Sequence, residues 1–131
     1  MSDTQPAQIV VVYVEDEPFF AGTVSRMLTE AGYPTATAND GEAGLELIRR
    51  DKPGLVLLDL VLPKIDGKEV LKQLKADPAT KDIPVIILSN LSAETEQKEL
   101  RALGAEDFMV KAMTLPNEIV DKVKTRLAPA H

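Results

Sequence analysis

Four acidic side chains, one lysine and one serine stand where they could carry chemistry. Glu15, Asp16 and Glu17 directly follow the apolar run Ile9–Val14. Asp59 interrupts the apolar run Leu55–Leu62, where a carboxylate without a partner would be costly to bury. Ser89 closes the run Val85–Leu88, and Lys111 follows Phe108–Val110. Brought together, Glu15, Asp16 and Asp59 would repel one another, and a hard divalent cation relieves that repulsion. Mg2+ takes oxygen ligands, keeps several waters and is commonly held by a few carboxylates with a phosphoryl oxygen. Three negative charges would then be balanced by two on the metal and one on Lys111. A neutral pocket holding a metal, an amine and a hydroxyl suits a phosphoryl group, whose charge is spread over its oxygens.

Composition closes off other chemistries. The chain has no cysteine, which removes disulfides, thiolate metal sites and thiol nucleophiles. Its single histidine is the last residue, His131, a poor place for acid–base work. Lys and Arg number 15 against 21 Asp and Glu, a net charge of −6, which argues against direct nucleic-acid binding. Residues 1–8 are polar and lack a basic segment followed by an apolar one, so no signal peptide is expected. The apolar runs are too short to span a bilayer. A cytoplasmic protein without membrane insertion is the expectation, and its 131 residues make one domain.

The elements that must position these groups follow from patterning. Ile9–Val14, a weaker Tyr33–Ala38, Leu55–Leu58, Val85–Leu88 and Phe108–Val110 are short apolar runs without polar alternation. Such runs are expected of strands covered on both faces, hence of a parallel sheet between helices. Between them, Phe20, Val24, Leu28 and Ala31 keep helical spacing, as do Ala43, Leu47 and Ile48, and Val70, Leu71 and Leu74. Leu100 with Leu103, and Ile119, Val120, Val123 and Leu127, mark two more helices. Gly32, Pro53-Gly54, Asp77-Pro78, Pro84 and Gly104 fall between elements. The pattern predicts an α/β chain of (βα)5 form, closing as a doubly wound, five-stranded parallel sheet. Function in such sheets lies at the carboxyl ends of the strands, where the acids, Ser89 and Lys111 fall.

With these motifs in order, the chain resembles the receiver domain of two-component response regulators, a flavodoxin-like fold, here of stand-alone, single-domain type. The resemblance rests on Val14-Glu15-Asp16-Glu17-Pro18, on Leu57-Leu58-Asp59-Leu60-Val61-Leu62-Pro63 with Asp66-Gly67, on Ile86-Ile87-Leu88-Ser89, and on Gly104-Ala105-Glu106-Asp107-Phe108-Met109-Val110-Lys111. It covers residues 9–127 and leaves 1–8 and 128–131 as expected flexible ends. It implies that Asp59 accepts the phosphoryl group and that Glu15 and Asp16 hold Mg2+ with Asp59 and the backbone carbonyl of Val61. It further implies that Lys111 pairs with the phosphoryl group, that Ser89 is the switch hydroxyl and that Phe108 is the switch aromatic. The implied donor is a sensor histidine kinase or a histidine phosphotransfer protein, and the implied output is a protein contact with a downstream target that the sequence does not name. A monomer, or a dimer formed on phosphorylation, fits the family.

Three positions depart from the common pattern. Ala112 follows Lys111 where the family usually has proline in a cis peptide, and a cis bond to alanine would cost about 3 kcal/mol. The loop is therefore expected to be strained or trans. Asn90 stands where a small residue is usual, and with Val61 it is expected to restrict the attacking water and prolong the acyl phosphate. The switch aromatic is Phe108 rather than tyrosine. Met109 and Met113 are read as packing residues. Glu17 is read as a helix-start acid. A pseudo-receiver, binding partners without phosphorylation, is the alternative. A flavodoxin is disfavoured because Glu15-Asp16-Glu17 would repel a flavin phosphate. A haloacid-dehalogenase-type phosphatase is disfavoured because Val61 replaces the second acid that it needs.

Overall fold

The computed structural model describes residues 8–90 and 94–127. The expected flexible ends, apart from Gln8, lie outside the described residues. Five strands form one sheet: β1 (Val11–Val14), β2 (Thr35–Ala38), β3 (Leu55–Leu58), β4 (Val85–Ser89) and β5 (Asp107–Val110). All neighbouring strands run parallel, in the order β2-β1-β3-β4-β5. Five helices alternate with them: α1 (Pro18–Glu30), α2 (Gly41–Asp51), α3 (Gly67–Ala76), α4 (Glu94–Ala102) and α5 (Pro116–Leu127). The expected doubly wound (βα)5 sheet is what forms.

Side chains alternate across each strand and feed two cores. Val12, Val14, Val56, Leu58 and Ile87 pack with Leu45, Ile48, Val70, Leu71 and Leu74 of α2 and α3. Val11, Tyr13, Leu55, Leu57 and Ile86 pack on the other face with Val24 and Leu28 of α1 and Ile119 and Val123 of α5. Because both faces are covered, the strands need continuous apolar runs, which is why those runs were legible. Two runs outlast their strands. Ile9 and Val10 precede β1, and Tyr33 and Pro34 precede β2, with Val10 N–H donating to the Pro34 carbonyl at 2.8 Å. Among the described residues no helix is long and apolar enough to cross a membrane.

Helix starts are locally encoded. Glu17 caps α1, its carboxylate accepting from the amides of Phe19 (3.1 Å) and Phe20 (2.8 Å), ahead of Pro18 in the first turn. Asp40 accepts from Ala43 N–H at 2.7 Å and Asp66 from Glu69 N–H at 3.0 Å, capping α2 and α3. The strand order reverses at β1, whose two neighbours are β2 and β3. The crevice at that reversal lies outside the carboxyl ends of β1 and β3.

Candidate functional site

Register decides which side chains meet. Val14 pairs with Leu58, so Glu15 and Asp59, the next residues along, emerge side by side. The ladder continues past the strands: Asp59 N–H donates to the Val14 carbonyl at 3.0 Å and Glu15 N–H to the Ala38 carbonyl at 2.9 Å. Ser89 pairs with Val110, which delivers Lys111 at the same end of the sheet. Glu15, Asp16, Glu17, Asp59, Val61, Ser89, Asn90 and Lys111 line one cavity of about 350 Å³ there. Every polar position singled out in the sequence therefore reaches one place.

Carboxylate oxygens of Glu15, Asp16 and Asp59 lie within 4.8 Å of one another. Glu15 is 1% exposed and Asp59 5%, whereas Asp16 is open to solvent. The Lys111 ammonium bridges the two buried acids, 2.7 Å from Glu15 Oε1 and 2.8 Å from Asp59 Oδ2. It also lies 5.2 Å from the centroid of the Phe20 ring, a cation–π contact from α1. The second Asp59 oxygen, Oδ1, accepts from Val61 N–H at 3.2 Å. Glu15 Oε1 accepts from the Tyr13 hydroxyl at 2.9 Å, and its Oε2 from Glu17 N–H at 3.1 Å.

Burial pushes the Glu15 carboxyl above its ordinary range, reinforced by the neighbouring Asp59 charge and opposed by the hydrogen bonds from Lys111 and Glu17. Burial works against the Lys111 ammonium too, but hydrogen bonds to Asp59 and Glu15 outweigh it and raise its pKa. The lysine therefore stays charged. Three carboxylates against one ammonium leave two formal negative charges, and the donors are all oxygen. Such a set fits a hard divalent cation that keeps part of its water shell.

The loop after β5 resolves the question raised by Ala112. Lys111–Met113 form a single 3-10 turn, and no peptide among the described residues is cis. Alanine, unlike proline, has an N–H, and that group donates to Asn90 Oδ1 at 2.7 Å. Asn90 thus ties the end of β4 to the turn that carries Lys111. One expectation fails here: Met113, read as packing, is 80% exposed, because its turn extends beyond the end of the sheet. Met109 does pack, against the core beneath α1 and α5. Phe108, half-buried, packs against the opposite core, and Ser89 is 1% exposed within the cavity wall.

Two contributors escaped the sequence reading. In the sequence Tyr13 reads simply as part of an apolar run, although its polar tip two residues before Glu15 on a strand signals a same-side contact. Phe20 reads as helix core, and nothing in its spacing marks a lysine brought from 91 residues away.

Comparison with known proteins agrees with the geometry. A family model described as the response regulator receiver domain matches residues 11–124. The alkaline phosphatase synthesis transcriptional regulatory protein PhoP of Bacillus subtilis is 35% identical over 117 residues, 89% of this chain and 48% of that protein. The chain spans about half the length of the curated relatives it matches. The structure of the phosphorylated cyanobacterial phytochrome response regulator RcpA aligns with a TM-score of 0.82 at 29% identity, covering 95% of this chain and 98% of that one. The Mn2+-bound form of the response regulator Rcp1 aligns with a TM-score of 0.79 at 26% identity, covering 93% and 97%.

Proposed function

The chain belongs to the response regulator receiver domain family, and from that premise we propose that Asp59 is its phosphoryl acceptor, taking the group from a phosphohistidine of a sensor kinase or histidine phosphotransfer protein. The observation that carries this reading is the pairing of buried Asp59 with Lys111 at 2.8 Å, in a cavity lined by three further acids, Glu15, Asp16 and Glu17. A carboxylate so placed is a nucleophile with its positive partner already in position. The kinship with a phosphorylated and a Mn2+-bound regulator supports the same reading.

Asp16, Asp59 and the Val61 carbonyl, with Glu15 beside them, would hold Mg2+, which supplies positive charge to the phosphoryl oxygens. An oxygen of Asp59 attacks phosphorus as the P–N bond to the donor imidazole breaks, and the imidazole leaves with the bonding pair and takes up a proton. Lys111 turns from the Asp59 carboxylate to the transferred group, balancing charge that the aspartate no longer carries. Ser89 donates its hydroxyl to a phosphoryl oxygen, and Phe108 repacks as that loop moves inward. The resulting surface is read by a protein target.

Intact mass spectrometry after incubation with Mg2+ and acetyl phosphate or phosphoramidate tests the reading. A single phosphoryl adduct that disappears in Asp59→Asn is expected. No adduct with either donor would leave the pseudo-receiver alternative standing. The lifetime of the adduct tests a second role. Asn90→Ala removes the side chain that lines the cavity and releases the Ala112 amide, so the acyl phosphate is expected to hydrolyse a few-fold faster. A lifetime as long as that of the wild type would show that Asn90 does not restrict water.

A further inference from the structure

The Tyr13 hydroxyl takes no part in the transfer described above, yet it touches the acidic centre. Strand geometry puts Val11, Tyr13 and Glu15 on one side of β1, because side chains alternate with a period of two. Val11 and Tyr13 are buried against α1 and α5, among Val24, Leu28, Ile119 and Val123. Those apolar neighbours offer a phenol no hydrogen-bond partner, and a buried hydroxyl needs one. Tyr13 finds it by reaching past the end of the sheet to Glu15 Oε1 at 2.9 Å.

The same oxygen is 2.7 Å from Lys111 Nζ, and the other, Oε2, accepts from Glu17 N–H at 3.1 Å. Donors from β1, from the start of α1 and from the turn after β5 thus hold one carboxylate that is 1% exposed. Water has little access to replace any of them. A tyrosine hydroxyl keeps its proton at neutral pH and so can donate to the Glu15 carboxylate.

We propose that Tyr13 is a positioning residue of the acidic centre: its hydroxyl anchors the Glu15 carboxylate from beneath, so that Glu15 and Asp59 share Lys111 and Glu15 faces the cation in a single orientation. Without that anchor Glu15 has lost one of three donors and draws Lys111 away from Asp59. The inference rests on the reading of Asp59 as a phosphoryl acceptor that works with Mg2+.

Tyr13→Phe keeps the ring and its packing and removes only the hydroxyl. In isothermal titration of the unphosphorylated protein with Mg2+, the variant is expected to bind about 10-fold more weakly, the lower end of what losing an outer-shell partner costs. Circular dichroism without Mg2+ checks that the variant is folded. In a Glu15→Gln background the same substitution is expected to change Mg2+ affinity by less than about two-fold, because the hydroxyl acts through the carboxylate. An unchanged affinity in Tyr13→Phe, or a full loss that persists in the Glu15→Gln background, overturns the inference and leaves the acceptor reading intact. Wild-type protein that binds no Mg2+ overturns both. A ring that merely filled space would give no shift, since phenylalanine fills the same space.

Discussion

Lys111→Met is expected to lower folding stability by about 3 kcal/mol at neutral pH, because removing one partner from a buried ion pair leaves the other charge uncompensated. Here two acids depend on the one ammonium, Glu15 at 2.7 Å and Asp59 at 2.8 Å. The sign of the pH dependence follows from the shifts. The folded pKa of Lys111 is raised, so its contribution is complete below the ordinary lysine value of 10.5 and is lost only as pH rises through the folded value. It is therefore fully present at pH 7. The folded pKa of Glu15 is raised by burial above the ordinary 4.5, and loss of Lys111 removes a bond that held it down. In the variant, Glu15 takes up a proton more readily when folded than when unfolded. The deficit is then largest above the folded value and shrinks as pH falls toward 4.5. Urea unfolding at several pH values measures this directly, and a deficit that is flat with pH would show that the carboxylates do not depend on Lys111. The rate of phosphorylation by acetyl phosphate is expected to drop about 100-fold in the same variant, as when one preorganised charge-stabilising group is removed.

Gly67→Ala is expected to cost about 3 kcal/mol or more, through overpacking against backbone that cannot yield. A β-carbon at Gly67 would lie 2.1 Å from the Asp59 carbonyl oxygen and 2.7 Å from Leu60 Cα. Nor can the first turn of α3 simply back away. Gly67 N–H donates to the Leu60 carbonyl at 2.8 Å, and Val70, Leu71 and Leu74 bury α3 against the sheet. The backbone that would be displaced is the one that presents Asp59, so phosphorylation should fall along with stability. Gly22→Ala provides the contrast. Nothing lies within 4 Å of a β-carbon there, inside α1, so that substitution should stabilise by about 0.5–1 kcal/mol through helix propensity. Thermal unfolding of the two variants compares a glycine needed for close approach with one that is dispensable. Equal and small shifts would mean that α3 can move off the Asp59 carbonyl at little cost.

The acidic run, Asp59, Ser89 and Lys111 were legible because each is a polar residue that ends or interrupts an apolar run, an arrangement with few structural uses. The fold was legible for a related reason. A strand covered on both faces must be apolar throughout, and Val11–Val14, Leu55–Leu58 and Val85–Leu88 are. β1 and β2 came out shorter than their apolar runs because an apolar side chain can cover a core edge without joining a ladder, as Ile9 and Tyr33 do. Met113 misled because methionine has no preference strong enough to separate a packed position from an exposed turn.

The sequence by itself determined which residue types could meet at the strand ends and which chemistry they could perform together. It also determined where α1, α2 and α3 begin, since Glu17, Asp40 and Asp66 cap within three residues of themselves. Only the tertiary structure decided who holds whom. The division of Lys111 between Glu15 and Asp59 depends on registers that link residues 44 and 52 positions apart along the chain, as from Glu15 to Asp59 and from Asp59 to Lys111. The bond from Asn90 to Ala112 depends on a loop that could have been cis or trans, and a backbone N–H that alanine retains and proline lacks settled its partner. Tyr13 looked like one more core residue until the end of β1 placed its hydroxyl under Glu15. Short-range rules act between neighbours in sequence, whereas charge, burial and hydrogen bonding act between neighbours in space, and at this site those neighbours come from β1, β3, β4 and the turn after β5.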